Sequence, residues 1–258
     1  MSALTLDGTV AIVTGASRGI GRAIAGAMHD AGARVVVTAR TQEAADSAAS
    51  EIGDGALGIG AHVADGEAAA ACVAATIERF GKVDILVNNV GTNPAYGPLI
   101  RQNAGQLAKL FEVNLFAPVL WSRLVCDAWM IEHGGSILNV ASIGGLVVER
   151  DLGAYNASKA ALIHMTKQLA VELAPTVRVN ALAPGIVRTK LAEALWRDHE
   201  DSLNTRIPLG RIGEPHDVAG AAVFLSSGAA SWITGEILVL DGGQRLTNQP
   251  SAAEGFGA

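Results

Sequence analysis

Aromatic residues, cysteines and long hydrophobic runs are scarce in this sequence. Aromatic residues make up 4% of the 258 positions, although half of all residues are hydrophobic. No apolar run reaches the roughly 20 residues that a membrane-spanning helix needs. The start of the chain, Met1-Ser2-Ala3-Leu4, does not resemble a charged-then-apolar export signal. We therefore expect a cytoplasmic protein that has no membrane partner.

Neither the basic residues nor the cysteines and histidines form clusters. The formal net charge is −6, and no basic cluster exceeds two adjacent residues, which argues against nucleic acid as a partner. Cys72 and Cys126 stand in helical patterns without metal-ligand spacing, so buried free thiols are predicted. The histidines are equally scattered, and no metal site is predicted. They are His29, His62, His133, His164, His199 and His216.

Short apolar segments alternate with helical patterns along most of the chain. These segments are rich in valine, isoleucine, leucine and alanine, as in strands that are buried on both faces. The predicted strands are residues 9–14, 34–39, 56–61, 83–88, 136–141, 177–182 and 236–240. Seven strands that alternate with helices predict an α/β fold, a single doubly wound, Rossmann-like parallel sheet with helices on both faces.

The predicted helices fill the intervals between these strands. They cover residues 22–31, 42–52, 67–80, about 104–133, 157–174 and 217–225. No repeat of fixed period, low-complexity segment or linker interrupts the pattern, so one domain over residues 1–258 is predicted.

Two segments near the end of the chain lack a regular pattern. Residues 186–212 carry large apolar side chains and are predicted to form a movable lid over a substrate. Packing against a neighbouring subunit explains these side chains almost equally well; they are Leu191, Leu195, Trp196 and Leu203. The tail, residues 244–258, is predicted to be loosely ordered because it contains Pro250, Gly255 and Gly257.

A glycine-rich loop joins the first predicted strand to its helix. Gly15, Gly19 and Gly21 have the spacing G-x-x-x-G-x-G, which differs from the G-x-G-x-x-G fingerprint of dinucleotide sites. Glycines at this place let the backbone turn tightly and approach a phosphate at the start of a helix. Both a nucleotide-binding loop and a plain tight turn fit this pattern.

The end of the second predicted strand bears on the choice of nicotinamide cofactor. An acidic residue there would bind the ribose 2′-hydroxyl and repel a 2′-phosphate. The strand instead ends in Thr38-Ala39-Arg40-Thr41, and Arg18 in the glycine loop supplies a second guanidinium. Two arginines beside one pocket suit a phosphate. This pattern predicts NADP(H) as the preferred cofactor, with NAD(H) as the alternative and two solvated surface arginines as the simpler interpretation.

Tyr155 and Lys159 are four residues apart in a helical pattern and therefore lie on the same helix face. A nearby ammonium favours the phenolate, so the pKa of Tyr155 is expected to fall toward neutrality. Such a phenol suits proton transfer at physiological pH. An ordinary helix face with a half-buried tyrosine and a solvated lysine is the alternative interpretation.

These features belong to a longer series of ordered motifs. The series comprises Thr14-Gly15-Ala16-Ser17-Arg18-Gly19-Ile20-Gly21, Asn88-Asn89-Val90-Gly91, Asn114, Ser142, Tyr155-x-x-x-Lys159, and Pro184-Gly185 with Thr189. In this order and at these distances, from about residue 6 to residue 243, the sequence resembles the short-chain dehydrogenase/reductase family. The resemblance implies an oxidoreductase that transfers a hydride between a nicotinamide cofactor and a carbonyl or secondary alcohol.

The resemblance implies a role for each of four catalytic residues. Tyr155 is expected to act as general acid toward a carbonyl or as general base toward an alcohol. Lys159 would lower the pKa of Tyr155 and bind the nicotinamide ribose. Ser142 would hold the substrate oxygen, and Asn114 would support a water-linked proton relay behind Lys159.

The same resemblance and the two arginines give a set of cofactor-binding residues. The set is Gly15, Ser17, Arg18, Gly19, Ile20, Gly21, Arg40, His62, Val63, Asn89, Gly91, Tyr155, Lys159, Pro184, Gly185, Val187 and Thr189. The last four are expected to bracket the nicotinamide carboxamide, and His62 and Val63 to lie against the adenine. His62 departs from the aspartate or asparagine usual in the family, and Val90 replaces an alanine. Asp65 is expected to cap the following helix.

Three functions are compatible with the motifs. The segment from Asn93-Pro94 to Leu99 resembles NADPH-dependent carbonyl reductases, which suggests a small apolar carbonyl or alcohol substrate. A 3-oxoacyl-carrier-protein or 3-oxoacyl-CoA reductase is the alternative, although the neutral-to-acidic stretches around Glu132 and Glu172 would oppose docking of an acidic carrier. A non-catalytic NADP(H)-binding sensor or scaffold is the third interpretation, and an intact catalytic set argues against it.

The two long predicted helices have apolar residues on more than one face. One face must cover the sheet, so another is free to contact a second subunit. Together with the family resemblance, this predicts a homo-oligomer, either a dimer or a tetramer with two-fold symmetry.

Overall fold

Valine- and isoleucine-rich segments form the strands of one parallel sheet. The structure is a computed structural model that describes residues 4–247. The strands are β1 Val10–Val13, β2 Arg34–Ala39, β3 Ala56–Gly60, β4 Ile85–Asn88, β5 Gly135–Val140, β6 Val177–Pro184 and β7 Ile237–Leu240. They pair in parallel in the order β3-β2-β1-β4-β5-β6-β7. The predicted seven-stranded, Rossmann-like sheet is confirmed.

The order of the strands reverses at β1. This strand lies between β2 and β4, with Val13 in register with Val37 on one side and with Val87 on the other. Parallel strands place their carboxyl ends at one edge, and ligands of such sheets bind in the crevice where the order reverses. The residues that follow β1 and β4 therefore meet at this crevice.

Helices cover both faces of the sheet. They are α1 Gly19–Asp30, α2 Gln42–Ile52, α3 Gly66–Phe80, α4 over residues 104–133, α5 Gly153–Glu172, α6 Glu193–Trp196, α7 Glu200–Arg206, α8 Pro215–Ser226 and α9 Gln244–Thr247. α1 and α8 bury Met28 and Leu225 in a core on one face. α3, α4 and α5 bury Val73, Trp121 and Ala170 in a second core on the other face.

α4 departs from regular α-helical geometry at two places. Glu112–Phe116 and Cys126–Met130 form π-helical turns. Pro118, at the start of the α-helical stretch between them, has no N–H to donate to the carbonyl of Asn114 four residues earlier. The predicted long helix is therefore present, but with a π turn at Asn114 that a regular helix would not have.

The segment predicted to form a lid contains the two short helices α6 and α7. Arg188 donates to both carboxylate oxygens of Glu200, at 2.5 and 2.7 Å, and to Glu214 at 2.8 Å. The Arg188 guanidinium also lies 4.9 Å from the centre of the Trp196 ring. These contacts tie both short helices to the segment that follows β6. The movement of the lid stays a prediction.

The tail that is predicted to be loosely ordered begins with a short helix. Gln244–Thr247 form α9, and the buried Gln244 side chain accepts a hydrogen bond from the Ile186 N–H at 3.1 Å. The remainder of that tail, 248–258, lies outside the described residues. Over residues 4–247, no helix combines the length and the hydropathy that a membrane crossing requires.

The two cysteines are free and buried, as the sequence predicts. Burial raises the pKa of Cys72 to about 12 and that of Cys126 to about 11. Both thiols therefore stay protonated at neutral pH, which makes them poor nucleophiles. Within the described part of the chain, no three histidine, cysteine or acidic side chains are grouped so that they could hold a metal ion.

Candidate active site

The glycine loop after β1 packs against the loop after β4. Gly15 and Gly19 have positive φ angles of 62° and 58°, which glycine adopts without strain. A Cβ added at Gly15 would lie 2.5 Å from Val90 Cγ2, and one at Gly21 would lie 2.3 Å from Asn89 Nδ2. The absence of side chains at Gly15 and Gly21 therefore lets the two loops touch.

Asn89 fixes this contact through hydrogen bonds. Its side-chain amide donates to the carbonyls of Thr14 and Gly15 at 2.9 and 3.2 Å. Its backbone N–H donates to the Thr14 hydroxyl at 3.0 Å, and that hydroxyl donates to the Val87 carbonyl at 3.1 Å. The ends of β1 and β4 are thereby held together, and contact of Asn89 with a cofactor stays a prediction.

The amino end of α1 is open to an anion. The side chain of its N-cap residue, Arg18, forms no capping hydrogen bond. The first N–H groups of the helix are therefore not bound by a capping side chain. Ser17 is half-buried in the loop, while Ile20 packs its side chain partly into the core. A phosphate group fits these conditions, because a helix start offers unpaired N–H groups and a positive dipole end.

Arg18 belongs to this loop, and Arg40 directly follows β2. The Ala16 N–H donates to the Thr38 carbonyl at 2.9 Å, which holds the glycine loop against the end of β2. Both arginine side chains are exposed, and among residues 4–247 neither forms a salt bridge. Their charges are therefore available to an external anion.

The segment after β3 is fixed by a residue that the sequence analysis missed. The indole N–H of Trp121 donates to the Val63 carbonyl at 2.9 Å, and Val63 is buried. The His62 side chain is exposed and accepts a hydrogen bond from the Ala64 N–H at 3.3 Å. Asp65 accepts from two N–H groups in the first turn of α3, which confirms the predicted cap.

Asn114 joins α4 to two other parts of the site. Its side-chain oxygen accepts from the Thr92 N–H at 2.8 Å, and its amide donates to the Thr92 carbonyl and to the Ser158 hydroxyl, both at 3.0 Å. Ser158 in turn donates to the Tyr155 carbonyl at 2.7 Å. Asn114 therefore fixes the loop after β4 relative to α5. The sequence analysis missed Ser158, although it directly precedes Lys159.

Lys159 lies buried beneath Tyr155. Its ammonium donates to the Val140 carbonyl at 2.8 Å and is 5.8 Å from the centre of the Tyr155 ring. A Cβ added at Gly91 would lie 3.4 Å from Lys159 Nζ and 3.8 Å from Asn114 Oδ1. The predicted residues Gly91, Asn114, Tyr155 and Lys159 are therefore brought together at the carboxyl edge of the sheet.

The groups around Tyr155 change the expectation for the pKa of its phenol. Burial raises the pKa of Tyr155 to about 12, the Ser142 hydroxyl lowers it, and the Glu149 carboxylate raises it further. Burial also lowers the pKa of Lys159 to about 8, so its ammonium is still mostly protonated at neutral pH. For the protein chain by itself the pKa of Tyr155 is therefore raised and not lowered, because desolvation outweighs the hydrogen bond with Ser142.

Ser142 comes shortly after β5 and lies beside Tyr155. Its hydroxyl accepts a hydrogen bond from the Gly144 N–H at 3.1 Å, which orients the side chain. The influence of that hydroxyl on the pKa of Tyr155 shows that the two groups are neighbours. Two neighbouring hydroxyls can donate hydrogen bonds to one oxygen atom of a ligand.

Comparison with known proteins agrees with this geometry. A family model described as enoyl-(acyl carrier protein) reductase matches residues 15–245. Dehydrogenase/reductase SDR family member 4 of Caenorhabditis elegans is 39% identical over 247 residues, which are 92% of this chain and 95% of the relative. The chain belongs to the short-chain dehydrogenase/reductase family. Members of this oxidoreductase family bind NAD(P)(H) and act on alcohol and carbonyl groups.

Two solved structures of the short-chain dehydrogenase/reductase family show the same fold. A 3-ketoacyl-(acyl-carrier-protein) reductase from Brucella melitensis complexed with NADH is 37% identical, with a TM-score of 0.88 over 93% of this chain and 99% of the other. A proposed NAD(P)-dependent gluconate 5-dehydrogenase from Beutenbergia cavernae, with NADP bound at low occupancy, is 40% identical. Its TM-score is 0.87 over 95% of this chain and all of the other.

In this short-chain dehydrogenase/reductase, the loop after β6 lies over the glycine loop. Thr189 Cγ2 would lie 3.3 Å from a Cβ added at Gly19. The N–H of Gly185 donates to the Leu240 carbonyl at 2.9 Å, directly after Pro184 at the end of β6. The Val187 side chain is buried in the core, so only its backbone can face a cofactor.

Gln244 is a further residue that the sequence analysis missed. Its side-chain oxygen would lie 2.7 Å from a Cβ added at Gly185, and it accepts the hydrogen bond from the Ile186 N–H. Gln244 therefore shapes the turn that follows Pro184. No signal in the sequence pointed to it, because it stands after the last strand in a stretch predicted to be loose.

The packing of Gly21 leads to a prediction for dinucleotide binding. In Gly21→Ala the new methyl group meets Asn89 and the Gly15 carbonyl, at 2.3 and 2.7 Å, so the loop must shift. We expect NADPH affinity, measured by fluorescence titration, to fall at least about tenfold. Gly26→Ala is the matched control on the same helix, because its nearest neighbour is 3.7 Å away. Parental affinity in a folded Gly21→Ala variant would contradict the assigned contact.

Proposed function

We propose that the protein is an NADP(H)-dependent oxidoreductase that interconverts a small carbonyl compound and its secondary alcohol. The observation that carries this proposal is the pair of Ser142 and Tyr155 hydroxyls beside the buried Lys159, at the edge of the sheet bordered by the glycine loop. A bound nicotinamide supplies or accepts the hydride. The protein residues orient the reacting oxygen and move its proton.

Each catalytic side chain has a separate task in this proposal. The Ser142 and Tyr155 hydroxyls donate hydrogen bonds to the substrate oxygen as it gains negative charge, which stabilises the transition state. Tyr155 then transfers its proton to that oxygen as general acid, and takes it back in the reverse direction as general base. Lys159 binds the nicotinamide ribose and holds positive charge near the phenol.

Asn114 supports the supply of protons behind Lys159. This role depends on the π turn that contains Asn114. Pro118 has no N–H, so it cannot donate a hydrogen bond to the Asn114 carbonyl. That carbonyl can accept a hydrogen bond from a water molecule, which can exchange protons with the Lys159 ammonium. The side chain of Asn114 is engaged with Thr92 and Ser158 and serves to position the turn.

The role of the phenol is tested by Tyr155→Phe. The change removes the hydroxyl and keeps the ring, so we expect kcat to fall by about 10²–10⁴-fold, the usual contribution of general acid–base catalysis. NADPH affinity should change little, because the substitution leaves Lys159 and the glycine loop in place. Steady-state kinetics and cofactor titration measure the two effects. A folded variant within about threefold of the parent in kcat would contradict the proposal.

The preference for NADP(H) rests on charge near the end of β2. Arg18 and Arg40 are exposed, free of salt bridges in the described chain, and close to the glycine loop, while no acidic residue ends β2. A 2′-phosphate would gain charge-assisted hydrogen bonds from both guanidinium groups. NAD(H) remains the alternative cofactor, and one related reductase was solved with NADH.

Arg40→Asp is expected to reverse this preference. The new carboxylate repels the 2′-phosphate and accepts a hydrogen bond from the 2′-hydroxyl of NADH, so the NADPH/NADH ratio of kcat/KM should fall by about 100-fold. Arg34→Asp is the matched control, since Arg34 begins the same strand at the opposite edge of the sheet. Equal or better efficiency of the parent with NADH would overturn the assignment.

Apolar side chains around the site support a small apolar substrate. Exposed hydrophobic residues follow Gly91 and Ser142 along the chain, in the two loops that flank the amino end of α5. They are Tyr96, Leu99, Ile100, Leu146 and Val148. The packing of Leu99 near Gly153, at 3.3 Å from an added Cβ, brings the first loop to the start of α5.

Reduction of a 3-oxoacyl group on a carrier protein or on CoA is the alternative function. The similarity to the Brucella melitensis reductase favours it. Exposed Glu132 and Glu172 near the ends of α4 and α5 argue against an acidic carrier. Turnover of matched carrier-bound, CoA-bound and small free ketones distinguishes the two functions. Saturable NADPH binding without turnover of any ketone, diketone or aldehyde would instead indicate a sensor or scaffold.

Exposed apolar side chains on α4 and α5 support the proposal of a homo-oligomer. Phe116 is 61% exposed, Ile131 is 53% exposed and Val171 is 77% exposed. Large apolar side chains on two long helices suit a symmetric helix–helix contact, and we propose a dimer or a tetramer. Light scattering at micromolar concentration gives the mass, and a monomer mass would contradict this proposal.

A further inference from the structure

Glu149 lies in the loop that joins Ser142 to Tyr155. One orientation of the Asn156 amide gives both its nitrogen and its oxygen a partner. In that orientation the amide nitrogen donates to Glu149 Oε2 at 3.2 Å, and the amide oxygen accepts from the Glu149 N–H at 3.1 Å. These two bonds hold the carboxylate against the first turns of α5. Glu149 is therefore a fixed part of the substrate side and not a freely moving surface acid.

Gly144 makes room for this carboxylate. A Cβ added at Gly144 would lie 2.7 Å from Glu149 Oε2 and would also meet the side-chain amide of Asn156. The N–H of Gly144 is the group that donates to the Ser142 hydroxyl. The carboxylate thus packs against the turn that orients Ser142, and its charge raises the pKa of the neighbouring Tyr155.

No basic side chain cancels the charge of Glu149. Among residues 4–247, Glu149 forms no salt bridge. The adjacent Arg150 side chain is 97% exposed and lies 3.9 Å from Asp151. Lys159 instead donates to the Val140 carbonyl. A negative charge in a half-buried site acts over a longer distance than one in water, because fewer water molecules screen it.

We propose that Glu149 sets the charge specificity of the site, which favours neutral or cationic carbonyl substrates over those with a carboxylate near the reacting carbonyl. This inference rests on the proposed function. A substrate anion placed beside Ser142 and Tyr155 would meet the uncompensated Glu149 carboxylate. A neutral ester or amide of the same shape would meet no such repulsion, and an ammonium group would be attracted.

The test uses three ketones of similar shape that carry a carboxylate, a methyl ester and a primary ammonium group. In the parent, we expect kcat/KM for the carboxylate to be about tenfold or more below that for the ester. Glu149→Gln, which keeps the shape and the contact with Asn156, should bring the carboxylate-to-ester ratio close to one. It should also reduce the ammonium-to-ester ratio.

Two further variants separate charge from structure. Glu149→Asp keeps the charge and should preserve the discrimination, even where its overall rate is lower. Glu132→Gln removes the same charge from an exposed position at the end of α4, at the opposite edge of the sheet, and should leave both ratios unchanged. A merely structural role of Glu149 would change kcat/KM for all three ketones by the same factor.

Two outcomes overturn the proposal while the proposed function survives. In the first, the parent reduces the ester and the carboxylate equally well. In the second, Glu149→Gln changes all three substrates alike. Absence of turnover with every ketone, despite NADPH binding, would contradict the proposed function itself and with it the proposal for Glu149.

Discussion

A buried positive charge, the Lys159 ammonium, is the interaction on which the site depends. Within the described chain it has no carboxylate partner and relies on the Val140 carbonyl, and burial lowers its pKa to about 8. Such a charge costs stability, because water solvates an ammonium better than one carbonyl does. Gly91 and Asn114 border the same space. Selection for stability alone would not favour a buried lysine at this position. We therefore attribute the presence of Lys159 to a functional role.

Opposite charges occupy the two ends of the candidate site. Arg18 and Arg40 are exposed, in the glycine loop and directly after β2, and Glu149 lies near the Tyr155 hydroxyl. The open amino end of α1 adds to the positive end. This distribution fits a cofactor with negative phosphates at one end and a substrate without negative charge at the other. Under the proposed function, these charges favour one orientation of the bound cofactor and substrate.

The fold could be predicted because apolar, β-branched segments alternate with helical ones. The start of α3 could be predicted because Asp65 is a typical N-cap residue. The position of the glycine loop was also predicted correctly, because the glycines directly follow an apolar strand and precede a helical pattern. The π turn at Asn114 could not be foreseen, since the sequence does not show whether the helix kinks, ends or forms a π turn ahead of Pro118. The hydrogen bonds of Trp121 and Gln244 join segments far apart in sequence. The pKa of Tyr155 depends on burial, which helical spacing does not give.

The pKa of the Tyr155 phenol, with and without bound cofactor, tests this account most directly. The chain has two tyrosines, so ¹³C NMR of tyrosine-labelled protein resolves both, and Tyr96→Phe assigns them. For the chain by itself the phenol has a pKa of about 12. We predict a fall of at least about two units with saturating NADP⁺, because the positively charged nicotinamide ring favours the phenolate. A pKa that stays the same in the complex would contradict the assigned role of Tyr155.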